Sequence, residues 1–187
     1  GGTGSGASPA IAEISRNLGI LTIAVVTTPF SFEGQERKKI AEQALENFKG
    51  KIDSLIVISN DNLLKVIDEK TTVSDAFLIC DDTLREAVRG ITDLITAPGI
   101  ISIDFASVIS IMKNSGRAMF GTGKAVGENR AVRAAEMAIT SPLLDFSIQG
   151  AKGVLFNISG QDLTLSEIQS AAQTITKNAD PKAQIIF

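Results

Sequence analysis

Apolar residues recur along this chain with two alternating periods. From Ala7 to Leu18, Ile11, Ile14 and Leu18 fall three and four positions apart, as on an amphipathic helix, and Gly19 marks its end. Ile20 to Val26 is a short β-rich run bounded by Gly19 and Pro29, which predicts a strand buried on both faces. The helical period returns from Glu33 to Phe48, with Ile40, Ala41, Ala44, Leu45 and Phe48 on one face and Glu36, Lys38, Glu42 and Glu46 on the other. Ser54 to Ile58 supplies the next strand. Between Ser74 and Ala97 apolar residues occur almost all round the helix (Phe77, Leu78, Ile79, Leu84, Val88, Ile91), which predicts a buried connecting helix stopped by Pro98-Gly99.

After Gly99 the texture changes. The pattern predicts a short helix over Asp104 to Asn114 capped by Asp104, a glycine-interrupted strand over Arg117 to Val126 and an alanine-rich helix over Glu128 to Thr140. A strand over Gly153 to Ile158, a helix over Ser166 to Thr176 and a bare apolar strand over Ala183 to Phe187 complete it. Alternating helices and short apolar strands in the first part predict an α/β fold with an open parallel sheet, whose ligands sit beyond the carboxyl ends of the strands. The second part reads as α+β, and the division is placed between residues 1–98 and 99–187. Chemistry is therefore expected in Gly1 to Gly6, Thr27 to Glu33 and Ser59 to Leu63.

Composition narrows the possibilities. Hydrophobic residues make up 44% and charged residues 21%, which describes a globular chain rather than a disordered one. Lys and Arg total 18 against 21 Asp and Glu, and no run of like charge suggests a nucleic-acid or lipid-binding arm. The chain has no His, so histidine triads and HExxH zinc sites are excluded, and its one cysteine, Cys80, cannot form an intramolecular disulfide. Its longest apolar run falls far short of the ~20 residues that cross a bilayer. These features predict a cytoplasmic protein without direct membrane insertion. The chain opens inside a glycine-rich stretch with no strand before it and closes on a bare strand, as a fragment of a longer protein would.

Gly1 to Gly6 reads Gly-Gly-Thr-Gly-Ser-Gly. Glycines let successive N–H groups converge, and a following helix adds the partial positive charge of its N-terminus, so the stretch suits a phosphate chain. A flexible terminus explains the same composition. Gly2, Gly4 and Ala7 formally satisfy the dinucleotide fingerprint, but Thr27-Thr28-Pro29 stands where that fold needs an acidic residue for the ribose. No Gly-Lys-Ser/Thr follows, which excludes a Walker loop.

The same stretch resembles the signature loop of the tubulin superfamily. Its continuation, from Leu18-Gly-Ile-Leu-Thr-Ile-Ala-Val-Val to Thr-Thr-Pro-Phe-Ser-Phe-Glu-Gly34, closely resembles the FtsZ family of bacterial cell-division proteins. The likeness continues through Asn60, Asp75-Ala-Phe77, Leu94 to Ile101, Asp104-Phe-Ala106, Gly121-Thr-Gly123 and Ala138 to Leu144, so it covers the whole chain. It implies a tubulin-like GTPase that binds GTP or GDP with Mg2+ and polymerises head to tail at the division site. Residues 1–98 would be the C-terminal half of the GTP-binding domain with its central helix. Residues 99–187 would be the interface loop and part of a second, C-terminal domain. Division-site adaptor proteins would be recruited through a tail that this chain lacks.

Carried across residue by residue, the triphosphate loop falls on Gly1, Gly2, Thr3 and Gly4, the ribose-binding carboxylate on Glu33 and a nucleotide-contacting guanidinium on Arg37. Glu33 and Arg37 are four apart at the expected start of a helix, so both side chains can serve one ligand; a surface ion pair explains the spacing equally. Phe77 and Asp81 are likewise four apart, an aromatic ring to stack on guanine and a carboxylate to read its edge, though a helical Phe is commonly plain core. Asn60 matches a polar contact to the nucleoside and also suits an N-cap. The departure lies at Ser102-Ile-Asp104-Phe-Ala-Ser107. There the family presents an Asn and two acidic residues to the γ-phosphate of the neighbouring subunit, and only Asp104 is retained, with Ser102 and Ser107 in the other places. The alternative is therefore a GTP-binding filament subunit or regulatory paralogue with little hydrolysis. A nucleotide-independent α/β binding module is a third, weaker reading.

Overall fold

The structure, a computed structural model, describes residues 2–65, 67–68, 70–96, 103–141 and 147–187. The chain forms two compact units, Gly1–Val88 with Met112–Ala118, and Arg89–Ile111 with Met119–Phe187.

The first unit is built on a parallel sheet in the order β1 (Ile23–Thr28), β2 (Ser54–Ser59), β3 (Gly116–Ala118). Ile23 lies beside Ser54 and Thr28 beside Ser59, so β1 and β2 end level with one another. The segments that follow them therefore start as neighbours, which is where an open parallel sheet collects ligand groups. Central β2 alternates buried and half-buried residues. β1 is half-buried along its whole length and not buried on both faces as its apolar sequence predicts; among the described residues it pairs with β2 alone, at an edge of this sheet. At the opposite ends of the strands, the buried Asp53 carboxylate accepts from the Thr22 N–H at 2.9 Å and the Asn114 N–H at 3.4 Å. The Arg16 guanidinium donates to the Ile52 carbonyl at 2.6 Å and to Asn114 Oδ1 at 3.0 Å. This end of the sheet is fastened by polar contacts.

α1 spans Gly2–Asn17 and already includes the glycines expected to form a loop. Extending a helix costs less than starting one, and glycine accepts helical angles without steric penalty, so the helix continues back through the stretch. Gly19, at φ +75°, ends it. α2 (Gln35–Asn47) begins two residues later than expected, because a 3-10 turn at Ser31–Glu33 and Gly34 at φ +97° precede it. A single-turn α3 (Asn60–Leu63) follows β2 directly. α4 (Val73–Thr96) buries Ala76, Cys80 and Ala87, while Leu78, Val88 and Ile95 are exposed. It is not the buried connecting helix its apolar content predicts: its fully buried residues are small, and Ile79, Leu84, Ile91 and Leu94 are only half-buried. The Pro98-Gly99 stop lies outside the described residues.

α5 (Phe105–Met112) leads into β3, so that among the described residues Arg117 and Ala118 alone of the predicted strand 117–126 pair. In the second unit, residues 119–126 instead run against α6 (Arg130–Ile139). A Cβ on Gly123 would lie 1.9 Å from the Ala134 carbonyl oxygen, and one on Gly121 2.1 Å from that of Ala138, so only glycine fits either position. α6 packs on α7 (Leu165–Thr176) around Ala131, Ala135, Ile148, Val154, Ala171 and Ile175. β4 (Gly153–Leu155) and β5 (Gln184–Ile186) pair in parallel, so the last strand is not bare, and Phe187 stacks on Phe156 at 5.4 Å.

Candidate functional site

The turn after β1 carries one of the predicted nucleotide contacts, Glu33, and leads into α2, which carries Arg37. Phe30 is 1% exposed, and Phe32 stacks on it with ring centroids 4.8 Å apart. Burial of Phe30 anchors the turn and fixes the residues beside it. Glu33 accepts the Phe30 N–H at 2.9 Å through one carboxylate oxygen and the Arg37 guanidinium at 2.6 Å through the other. The expected ion pair is thus made across Gly34, from a 3-10 turn and not from the start of a helix. The two partners differ in setting: the Glu33 side chain is 9% exposed and that of Arg37 69%.

Phe77 on α4 meets Phe30 edge-on and is still 39% exposed. Core packing and an open ring surface are therefore both present in one side chain. Asp81, one turn further along α4, is exposed. Cys80 between them is buried, and its thiol is pushed up to about 11 by that burial and then by the carboxylates of Asp81 and Glu33. The thiol stays protonated and unreactive at neutral pH. Asp81 adjoins Cys80 in the sequence, and the Glu33 charge reaches the same thiol across the fold.

Asn60 does not cap a helix. Ser59 holds the cap position, and Asn60 is the first residue of α3, 6% exposed, with no hydrogen-bond partner for Oδ1 among the described residues. A buried acceptor without a donor costs about 1–3 kcal/mol, so native proteins rarely leave one unless something supplies the donor. Gly2, Thr3 and Gly4 form the exposed first turn of α1. Their N–H groups are among those a helix leaves without internal partners. Cβ atoms at Gly2 and Gly6 would meet nothing within 4 Å among the described residues, so no neighbour of theirs requires glycine.

Asp104 belongs to the second unit and caps α5 as expected, its Oδ1 accepting the Ser107 N–H at 2.6 Å. The Ser107 hydroxyl and backbone N–H hold the Asp104 carboxyl below its usual range. Gly1 and Ser102 lie outside the described residues. Among the described residues no group of three or more His, Cys, Asp or Glu side chains could hold a metal ion, and no helix is long and apolar enough to cross a membrane.

Residues 1–68 match the GTPase domain of the Tubulin/FtsZ family, and residues 116–187 match the C-terminal domain of the FtsZ family. The chain belongs to the FtsZ family. It is 54% identical over 188 residues to the cell division protein FtsZ 2 of Rhizobium meliloti, covering all of this chain and 54% of that protein. It is 53% identical over 189 residues to the cell division protein FtsZ of Magnetospirillum gryphiswaldense, covering all of this chain and 34% of that protein. An empty FtsZ dimer from M. jannaschii superposes with a TM-score of 0.94 at 44% identity, again over 100% of this chain and 54% of that one. The expected tubulin-like α/β fold is the fold found, and the chain spans about a third to a half of the length of these FtsZ relatives.

Two residues beside these candidate contacts were not singled out by the motifs. Phe30 stands in the Pro-Phe-Ser-Phe string, where its place before a helix could have marked it as a buried anchor. Asp61 accepts both the N–H and the hydroxyl of Ser31. Those two residues are 30 positions apart and meet only because Thr28 pairs with Ser59, so no local pattern announces the contact.

Proposed function

We propose that the first unit is the nucleoside-binding part of a GTP-hydrolysing protein that polymerises head to tail for bacterial cell division. The buried, unpartnered Asn60 Oδ1 beside the Phe30–Glu33 turn carries this reading, because an acceptor in that position needs a donor from outside the described residues. Gly2, Thr3 and Gly4, completed by Gly1, would hold phosphates on the N-terminal N–H groups of α1. Glu33 would take ribose hydroxyls, Arg37 the nucleotide's negative charge, and Phe77 the face of the base. Asp81 would accept from guanine N1–H and its exocyclic amine, a pair of donors that adenine does not offer together. Bound nucleotide would bring Mg2+, held through phosphate oxygens and water as that ion prefers. On this reading residues 1–98 are the C-terminal half of the GTP-binding domain, and residues 99–187 an interface loop with part of a second domain. The partners are further copies of the chain and division-site adaptors recruited through a segment outside it, with no role for nucleic acid, and the place of action is the cytoplasm at the division site.

Asp104 would act on the nucleotide of the next subunit. A second reading is a filament subunit or regulatory paralogue that binds GTP and hydrolyses little of it. The contact between Ser107 and Asp104 favours it, since a group the family uses to orient water is here a short hydroxyl bound to the remaining acid. The test is GTP turnover by a completed protein, meaning this chain joined to the flanking portions of the Rhizobium meliloti relative. Active hydrolysis in trans requires specific turnover to rise with protein concentration and to be lost in Asp104→Asn, which keeps the helix cap. The double change Ser102→Asn with Ser107→Asp is expected to raise turnover about tenfold or more. Turnover independent of concentration refutes the cross-subunit mechanism, and GTP binding with negligible turnover favours the second reading.

A further inference from the structure

We propose that Asp61 is a positioning residue for ribose recognition, holding the turn that carries Glu33 in register with Asn60. The proposal rests on the nucleotide-site reading above and adds to it a residue outside the ligand contacts. β1 and β2 end level, after which the chain leaves in two directions, into the Ser31–Glu33 turn and into α3. Asp61 joins the two. Its Oδ1 accepts the Ser31 N–H at 2.8 Å and its Oδ2 the Ser31 hydroxyl at 2.5 Å, so both carboxylate oxygens hold one residue. Two bonds to a planar group fix the orientation of the turn as well as its distance.

Each neighbour of this clasp is a candidate ligand group. Asn60, adjacent to Asp61, carries the orphan Oδ1. Glu33, two residues beyond Ser31, has its carboxylate aimed by the Phe30 N–H and by Arg37. Release of Ser31 would leave the turn that sets Glu33 held from the Phe30 side alone, while Phe77 and Asp81 stay in place on α4. Asp61 itself is held ionised, its carboxyl lowered chiefly by the Ser31 hydroxyl and N–H and further by the nearby Lys38 and Lys65 charges. Its grip therefore does not vary near neutral pH.

The experiment compares calorimetric affinities of the completed protein for GDP and for 2′,3′-dideoxy-GDP, which lacks the hydroxyls assigned to Glu33. The unaltered protein is expected to prefer GDP. Asp61→Ala should weaken GDP about tenfold, as lost hydrogen bonds to a charged group do, with a smaller effect on the dideoxy nucleotide, so that the ratio moves toward one. Asp61→Asn should restore the ratio, because its amide oxygen can accept the Ser31 N–H and its amine can donate to the hydroxyl oxygen. Ser31→Ala, which removes one bond of the two, should fall between and decides the matter if Asp61→Ala fails to fold. If Asp61→Ala and Ser31→Ala both keep the full preference for GDP, or weaken both nucleotides equally, Asp61 does not position the ribose contact while the site reading stands. If the unaltered protein binds neither nucleotide, the site reading falls and this role with it.

Discussion

The rings of Phe30 and Phe77 meet edge-on, with centroids 5.5 Å apart and planes at 86°. The contact joins the turn after β1 to α4, and its two members serve different ends. Phe30 is 1% exposed and fills the space beneath the turn, whereas Phe77 keeps 39% of its surface open. Phe30→Ala should therefore cost about 3–5 kcal/mol of stability, as a large ring removed from a core does. Phe77→Leu, which keeps an apolar side chain in the contact, should change stability little and weaken guanine nucleotide binding through a lost stacking interaction of ~1–3 kcal/mol. Thermal melts and GDP titrations of the two completed variants separate the roles. Equal loss of binding with unchanged melting in both would show that Phe30 is not a structural anchor.

The fold was legible where the signal was local. The stop at Gly19 and the Asp104 cap depend on one turn of helix, and both are found. The helical character of Gly2–Gly6 was not, because glycine permits a loop and a helix alike. Nor was the exposure of α4, since apolar content does not say which face has a neighbour. Glu33, Phe77 and Asp81 were named from the family resemblance, and the structure links the first two through Phe30, whose N–H Glu33 accepts and whose ring Phe77 meets edge-on. Thr164-x-x-Glu167 is a capping box that could have been read directly: Glu167 accepts the Thr164 N–H at 2.9 Å, and Thr164 Oγ1 accepts the Glu167 N–H at 3.3 Å. The grip of Arg130 on that same Glu167 spans 37 positions and lies beyond any sequence window.

Glycines of two kinds should respond oppositely to alanine. At Gly123 the new Cβ would lie 1.9 Å from a backbone carbonyl of α6, so Gly123→Ala must push the segment off the helix and should destabilise by about 1–3 kcal/mol or more. At Gly6 it would meet nothing within 4 Å among the described residues, and α1 should gain up to about 1 kcal/mol from the better helix former. Denaturant melts of the two variants measure both. A neutral Gly123→Ala would show that the loop and α6 do not pack as described.

Acid should loosen the second unit through one carboxylate. Glu167 accepts Arg130 Nε at 2.6 Å, and that contact together with the Thr164 N–H and hydroxyl lowers its pKa from 4.5 to about 2. A group depressed in the folded state adds stability that is fully present above its unfolded value and fades as pH falls through its folded value. The contribution of Glu167 should thus be complete above pH ~4.5 and largely gone near pH 2. Melts of the unaltered chain and Glu167→Gln, taken between those limits, should converge as pH falls. A gap that stays constant with pH would assign the stabilising role to something other than the charged Glu167.

The central claim is that Asn60, Glu33, Phe77 and Asp81 together select a guanine nucleotide, and the most direct measurement is a calorimetric titration of the completed protein with GTP and with ATP. GTP is expected to bind far more tightly. Asp81→Ala is expected to cost roughly 1–3 kcal/mol of GTP affinity by leaving the base's donors unpaired, and to leave the weak ATP binding unchanged. Equal affinity for the two nucleotides, in a protein that melts cooperatively, would contradict the assignment.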